Sequence, residues 1–362
     1  MPHLLVAISS HGFGHVAQTA PVVNTLRKRI PDLRVTLRTT VPPALLAARF
    51  EGEFTQVPVA SDFGMRMATA VDVLADKSAR AYAEFHRHWE IKVREEAQAL
   101  VALAPDLVLA NVPYLTLVGA AQAGIPAVAM SSLNWADIYA HYCGHHPAAA
   151  EIHAQMCAAY NSAACFLQTE PHMPMTDIPR RRSIGPVARI GHARRAEINR
   201  RLGLSERDRL VLIAPGGIEI RLPINDWPRL PHIRWLVAEA WRVTHPDAVS
   251  IESLTMHFMD ILCSSDALVG KPGYGSFAEV ACNAVPMLYI KRHDWPEEPY
   301  LVEWLGCNGR SLEIEREQLD RGDIYDALQA LWAMPTRPPV APTGVQQAAD
   351  YLADVLSALP VR

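Results

Sequence analysis

The stretch Ala267-Leu268-Val269-Gly270-Lys271-Pro272-Gly273-Tyr274-Gly275-Ser276-Phe277-Ala278-Glu279 reads as a strand, a tight turn and the start of a helix. Ala267 to Val269 is a continuous apolar run, as a strand buried on both faces requires. Gly270, Pro272, Gly273 and Gly275 then interrupt it with residues that neither a strand nor a helix interior favours. Ser276 is placed to cap a helix running through Ala278, Val280 and Ala281 toward Ala284. A glycine-rich turn that opens a helix gathers bare backbone N–H groups and the positive end of the helix dipole at one spot. That combination suits an anion, above all a phosphate. The plainer reading is a glycine turn joining two core elements.

A second junction of the same kind weighs against the plain reading. His11-Gly12-Phe13-Gly14-His15 follows the apolar run Leu4 to Ile8 and precedes a helical stretch from Val16 to Ile30. Two strand–glycine–helix junctions, about 260 residues apart, predict two α/β domains with loops facing one cleft.

Composition narrows the class. A chain of 362 residues is of a size for two domains. Half of it is hydrophobic and 20% is charged, which fits a folded soluble protein. With 34 basic and 38 acidic residues the net charge is -4, so no basic surplus is available to hold nucleic acid. No segment approaches the roughly 20 apolar residues of a transmembrane helix, and MPHLLVAISS passes straight into a strand without a signal-peptide pattern. Six scattered cysteines without a CxxC pair point to reduced thiols, hence to a cytoplasmic protein.

Along the chain, apolar runs alternate with helical periodicity, the rhythm of a parallel sheet covered by helices on both faces. Strands are expected at 4–8, 35–37, 54–59, 107–110, 126–130 and 165–168 in the first half, and at 210–214, 267–269 and 286–290 in the second. Pro21 should kink or end the first helix. Residues 79–103 and 318–334 each read as one helix. Residues 171–189, rich in proline and holding Arg180 to Arg182, read as a hinge. Thr343 with Gln346 three residues on has the form of a capping box opening a last amphipathic helix.

Taken together these features resemble the GT-B fold of glycosyltransferases: α/β, with two Rossmann-like domains whose parallel sheets face a cleft. Ser264 to Gly306 is similar to the nucleotide-sugar signature of metal-independent inverting enzymes, such as the peptidoglycan N-acetylglucosaminyltransferase and the UDP-glycosyltransferases. HGFGH, NWADIYAHY, GKPGYGSFAE and the EEP of RHDWPEEPYLVEWLG more closely resemble the glycosyltransferase-like N-terminal half of plant L-arabinokinases. No ATP loop of the kinase half follows. The resemblance implies an acceptor domain over 1–170, the hinge at 171–189 and a nucleotide-sugar domain over 190–340. It also implies a helix in 341–362 packing back toward the first domain. The implied partners are a nucleoside-diphosphate sugar, most readily a UDP sugar, as donor substrate and an unidentified acceptor. No further cofactor is implied.

The resemblance also assigns roles. His15 would be the general base, kept neutral at a helix N-terminus; otherwise it caps the helix or touches phosphate. Gly12 and Gly14 would let backbone approach the ligand. Gly216 and Gly217 would form a second phosphate-contacting turn, though Ile218 and Glu219 follow where relatives carry Ser or Thr. Gly273, Gly275 and Ser276 would hold the diphosphate, and Lys271 would stabilise its departure in place of a metal. Glu279 would hold the ribose, or lie on the surface as an ordinary glutamate. Glu297 and Glu298, with Asp294, would hold sugar hydroxyls, without the glutamine that relatives place there. Trp135, Asp137 and Tyr139 are candidates for the acceptor side, although Trp and Tyr more often belong to the core. His141, His145, His146 and His153 match no standard metal spacing, so no metal is expected. A binding module without turnover and a sugar-nucleotide 2-epimerase are the alternatives.

Overall fold

The computed structural model describes residues 1–69, 72–215, 222–291 and 294–359. The chain forms two compact units, Met1–Val187 with Pro342–Arg362, and Ala188–Ala341.

The first unit contains β1 (His3–Ile8), β2 (Arg34–Arg38), β3 (Thr55–Val57), β4 (Leu107–Asn111), β5 (Ala127–Ser131), β6 (Cys165–Thr169) and β7 (Arg181–Ile184). All pair in parallel, in the order β3-β2-β1-β4-β5-β6-β7. Its helices are α1 (Gly14–Arg29), α2 (Pro43–Arg49), α3 (Ala75–His86), α4 (Trp89–Leu103), α5 (Tyr114–Gln122), α6 (Trp135–Cys143) and α7 (Ala149–Tyr160). β1, β4 and β5 are buried along their whole length, which explains why their sequences are continuous apolar runs and not alternating ones.

The second unit repeats the plan. β8 (Arg209–Ile213), β9 (Ile233–Val237), β10 (Ala248–Ser250), β11 (Ala267–Gly270), β12 (Met287–Ile290) and β13 (Ser311–Ile314) form a parallel sheet in the order β10-β9-β8-β11-β12-β13. Its helices are α8 (Arg195–Leu202), α9 (Phe258–Ser264), α10 (Tyr274–Cys282), α11 (Glu298–Asn308), α12 (Arg316–Arg321) and α13 (Tyr325–Ala333). The chain then returns to the first unit as α14 (Thr343–Ala358). Ala348, Ala349, Leu352 and Leu356 of α14 join Val16, Val23 and Leu26 of α1 in one core cluster.

Each sheet reverses strand order at one place, between β1 and β4 and between β8 and β11. Such a switch point splays the loops at the carboxyl ends of the strands and leaves a crevice there. Both glycine junctions lie at these positions.

Several local expectations are corrected. Pro21 does not end α1, which runs unbroken from Gly14 to Arg29. Burial of Val16, Ala20, Val22, Val23 and Leu26 on one helix outweighs the one hydrogen bond that proline cannot make. Residues 79–103 are not one helix. The chain turns at Arg87 and His88, where His86 stacks on Trp89 at 4.5 Å and its ring nitrogens meet Gln155 and Tyr114. Residues 318–334 also divide, at Gly322, whose φ of 69° ends α12 in the left-handed region. β7 lies inside the stretch read as a hinge and pairs with β6. Thr343 is the first helical residue of α14, after Pro342, and makes no cap. A capping box stands instead at Glu315 and Gln318, opening α12. No helix among the described residues is long and apolar enough to cross a membrane. All six cysteines are free thiols.

Candidate functional site

In the first unit the site grows from the β1–α1 junction. Gly12 has φ of 88°, and its N–H donates to Ser10 O at 2.9 Å. Only glycine adopts that backbone freely, so Gly12 makes the turn. A Cβ at Gly14 would meet nothing within 4 Å, so space lies open beside the first residue of α1. His15 follows in the first turn of α1, only 6% exposed.

A chain of side-chain hydrogen bonds fixes its tautomer. Gln18 Nε2 donates to Ser132 Oγ at 2.9 Å, which leaves Gln18 Oε1 as an acceptor. Asn111 Nδ2 donates to that oxygen at 2.8 Å. Asn111 Oδ1 therefore faces His15 Nδ1, 2.8 Å away. Two lone pairs cannot bond, so Nδ1 carries the proton and Nε2 carries the free electron pair. Nε2 has no hydrogen-bond partner among the described residues and is not one of the polar atoms sealed from solvent. Burial pushes the imidazole down to about 4, although the Asn111 bond acts the other way. At neutral pH His15 is an uncharged base with one nitrogen available.

The sheet puts these residues together. Ile8, at the end of β1, is in register with Asn111, at the end of β4, so the His15–Asn111 bond spans the switch point. Ser132 follows the last residue of β5. Trp135, the first residue of α6, closes the group: its ring meets those of His11 at 5.3 Å and His15 at 6.1 Å. Trp135 Nε1 donates to Asp62 Oδ2 at 2.7 Å. Burial pushes the Asp62 carboxyl up to about 6, against hydrogen bonds from Trp135 and Ser9.

Sequence reasoning placed His15 and missed Asn111, Gln18, Ser132 and Asp62. The available signal was polarity at the wrong place. Asn111 ends the apolar strand LVLAN, and Gln18 sits one turn from His15 on the same helix face. Trp135 and Tyr139 are fully buried, so of the two readings, acceptor side or core, these rings take the core. Asn134 caps α6 by accepting from Asp137 N–H at 2.8 Å, and the Asp137 carboxylate accepts in return from Asn134 Nδ2 at 2.8 Å.

In the second unit α10 begins at Tyr274 with Gly273 as its N-cap, so Ser276 lies inside the first turn and is not the cap. The first bond of the helix ladder runs from Phe277 N–H to Gly273 O. The amides of Gly275 and Ser276 therefore precede the ladder, as an anion site at a helix start requires. A Cβ at Gly273 would meet nothing within 4 Å, so this junction too is open. Lys271 stands in the turn between β11 and α10. Glu279 is buried, 5% exposed, on the same helix; it is not a surface glutamate. The segment after β12 leaves the strand adjacent to β11 and carries Glu297 and Glu298, each 4% exposed. Glu297 accepts from Trp295 Nε1 at 3.2 Å, and Glu298 opens α11. Lys271, Gly273, Gly275, Ser276, Glu297 and Glu298 are thus collected at the carboxyl edge of one sheet. Gly216 and Gly217 lie outside the described residues.

The structure can be compared with solved ones. The calicheamicin glycosyltransferase CalG4 superposes over 100% of both chains with a TM-score of 0.63 at 16% identity. The fold is GT-B. A kitacinnamycin glycosyltransferase agrees over 99% of this chain and 95% of its own, with a TM-score of 0.60 and 17% identity. UGT2 of Phytolacca americana, solved with UDP-2-fluoroglucose and pterostilbene, agrees over 99% and 94% with a TM-score of 0.55 and 13% identity. In sequence, this GT-B chain is 26% identical to L-arabinokinase of Arabidopsis thaliana over 329 residues. That match takes in 88% of this chain and 31% of the plant protein, so the chain spans about a third of its relative's length. No family model matches.

Proposed function

We propose that this GT-B chain transfers a sugar from a nucleoside-diphosphate donor, UDP-linked, to an acceptor hydroxyl, with inversion and without a catalytic metal. One observation carries the reading: a buried, neutral histidine at a helix start whose Nδ1 is held by Asn111 and whose Nε2 is unpaired among the described residues. His15 Nε2 takes the proton of the acceptor hydroxyl as that oxygen bonds to the anomeric carbon. The bond from the anomeric carbon to the diphosphate breaks on the opposite face, and its electron pair leaves with the phosphate oxygen. The amides of Gly275 and Ser276, with the Lys271 ammonium, take up the charge that forms. Glu279 holds the ribose, and Glu297 and Glu298 hold sugar hydroxyls. The names of the GT-B neighbours support the reaction class.

The test is His15→Ala, assayed against a panel of nucleoside-diphosphate sugars for release of free diphosphate. Turnover should fall about 10²- to 10⁴-fold, the usual worth of a positioned base, with nucleotide affinity retained. Unchanged turnover removes His15 from the role.

A second reading is a module that binds the nucleotide sugar without turning it over. It is favoured by Asn111 itself, because a neutral amide gives an imidazolium less support than a carboxylate would. Tight binding of a UDP sugar with no diphosphate released from any donor would select this reading.

A further inference from the structure

Among the described residues one group of three ligating side chains converges: His153, Cys157 and Asp177. His153 and Cys157 are four residues apart on α7, so they share a helix face. His153 Nε2 is 3.6 Å from Cys157 Sγ and 4.0 Å from Asp177 Oδ2. All three ligating atoms lie within 4.8 Å of one another. Nitrogen, sulfur and oxygen ligands at ordinary zinc bond lengths and tetrahedral angles stand about 3.4–3.6 Å apart. The imidazole–thiol pair already has that spacing. The carboxylate needs to close by about half an ångström on the imidazole and by up to about 1.2 Å on the thiol, a side-chain adjustment for an exposed aspartate.

The backbone that carries Asp177 is held. Its carbonyl accepts from Asn161 Nδ2, at the end of α7, at 3.0 Å. On either side Met175 and Ile178 are buried, and Ile178 N–H bonds Met175 O at 3.1 Å. Besides its burial, the groups that act on the Cys157 thiol are the carboxylates of Asp177 and Asp137. A thiol and a carboxylate gathered around an imidazole form a donor set for a borderline-soft cation, not for magnesium or calcium.

We propose that His153, Cys157 and Asp177 form a binding site for a divalent transition metal of the zinc type. The ion would replace the thiol proton and neutralise the carboxylate, and a water would complete four-coordination. It would clamp the segment after β6 to α7. These ligands come from other elements than those holding His15, so the site is independent of the sugar-transfer reading.

The experiment titrates the metal-stripped chain with Co²⁺ and then with Zn²⁺. One equivalent of Co²⁺ should bind with a thiolate-to-cobalt charge-transfer band, and Zn²⁺ should displace it and raise Tm. Cys157→Ser and Asp177→Asn should each weaken Co²⁺ binding about 10- to 100-fold, while Cys307→Ser, at an exposed cysteine, should leave it unchanged. Asp177 is exposed, so its variant retains the fold and keeps the test decisive. A wild-type chain without the thiolate band overturns the proposal, as does a band undiminished in either ligand variant.

Discussion

Asn111 Oδ1 accepts from His15 Nδ1 at 2.8 Å, joining residues 96 positions apart across the point where the first sheet reverses its strand order. The partner of the imidazole is an amide, so it fixes the tautomer without contributing negative charge. Asn111→Asp should raise the His15 pKa above its present value of about 4. The acid limb of turnover against pH should move upward with it, and an NMR titration of the His15 ring reads the same shift without an activity assay. Asn111→Leu should instead lower kcat about 10-fold or more, since the ring loses the acceptor that orients it.

Asp62 should make stability depend on pH in a direction opposite to most carboxylates. Its pKa is raised from 3.8 to about 6, so the folded chain holds the proton more tightly than the unfolded chain does. Its contribution is complete below pH 3.8 and is lost as pH rises through about 6. Asp62→Asn keeps an acceptor for Trp135 and removes the buried charge. Relative to the parent, the variant should gain on the order of 2 kcal/mol between pH 4 and pH 8. Denaturant melts at the two pH values measure the difference; equal values would place Asp62 in a more polar setting. His15 acts the other way. Its depressed pKa contributes stability present above pH 6.5 and lost as pH falls through about 4, and His86 behaves alike.

Glu279 offers a means of separating ribose from phosphate. If its carboxylate accepts from ribose hydroxyls, Glu279→Gln should weaken UDP binding about 10-fold, close to the worth of one charged hydrogen bond. Inorganic diphosphate, which has no ribose, should bind both proteins alike. Calorimetric titration with the two ligands reads this directly. Equal losses for both would move Glu279 from ligand contact to support of α10.

Leu352 is fully buried within the cluster that α14 shares with α1. Leu352→Ala should cost about 2–5 kcal/mol and be seen as a lower unfolding midpoint. A loss below 1 kcal/mol would show that α14 contributes little to that core.

The two glycine junctions were legible in the sequence because glycine and proline between an apolar run and a helical pattern have few other uses. Two α/β domains followed from their recurrence in both halves, and GT-B from what the motifs resemble. What could not be read was contact between distant polar residues. Asn111 looks like the polar end of an apolar strand until register sets it beside the β1–α1 turn. Trp135 and Tyr139 have the chemistry of sugar-facing rings, yet packing spends them inside the unit. The histidines from 141 to 153 were weighed by their spacing to one another, whereas His153 meets Cys157 and Asp177. Helix breaks at His88 and Gly322 escaped for a related reason: apolar periodicity continues through them, and only the backbone shows the turn.

The excursion of the polypeptide through the second unit before it returns as α14 has a bearing on biosynthesis. The surface of α1 that Ala348, Ala349 and Leu352 cover is translated more than 300 residues before they are. While the ribosome is still making residues 188–341, that apolar face of the nascent first unit lacks its cover and is open to chaperones or to aggregation. The second unit has its own contiguous core and is free to fold first, although it is synthesised later.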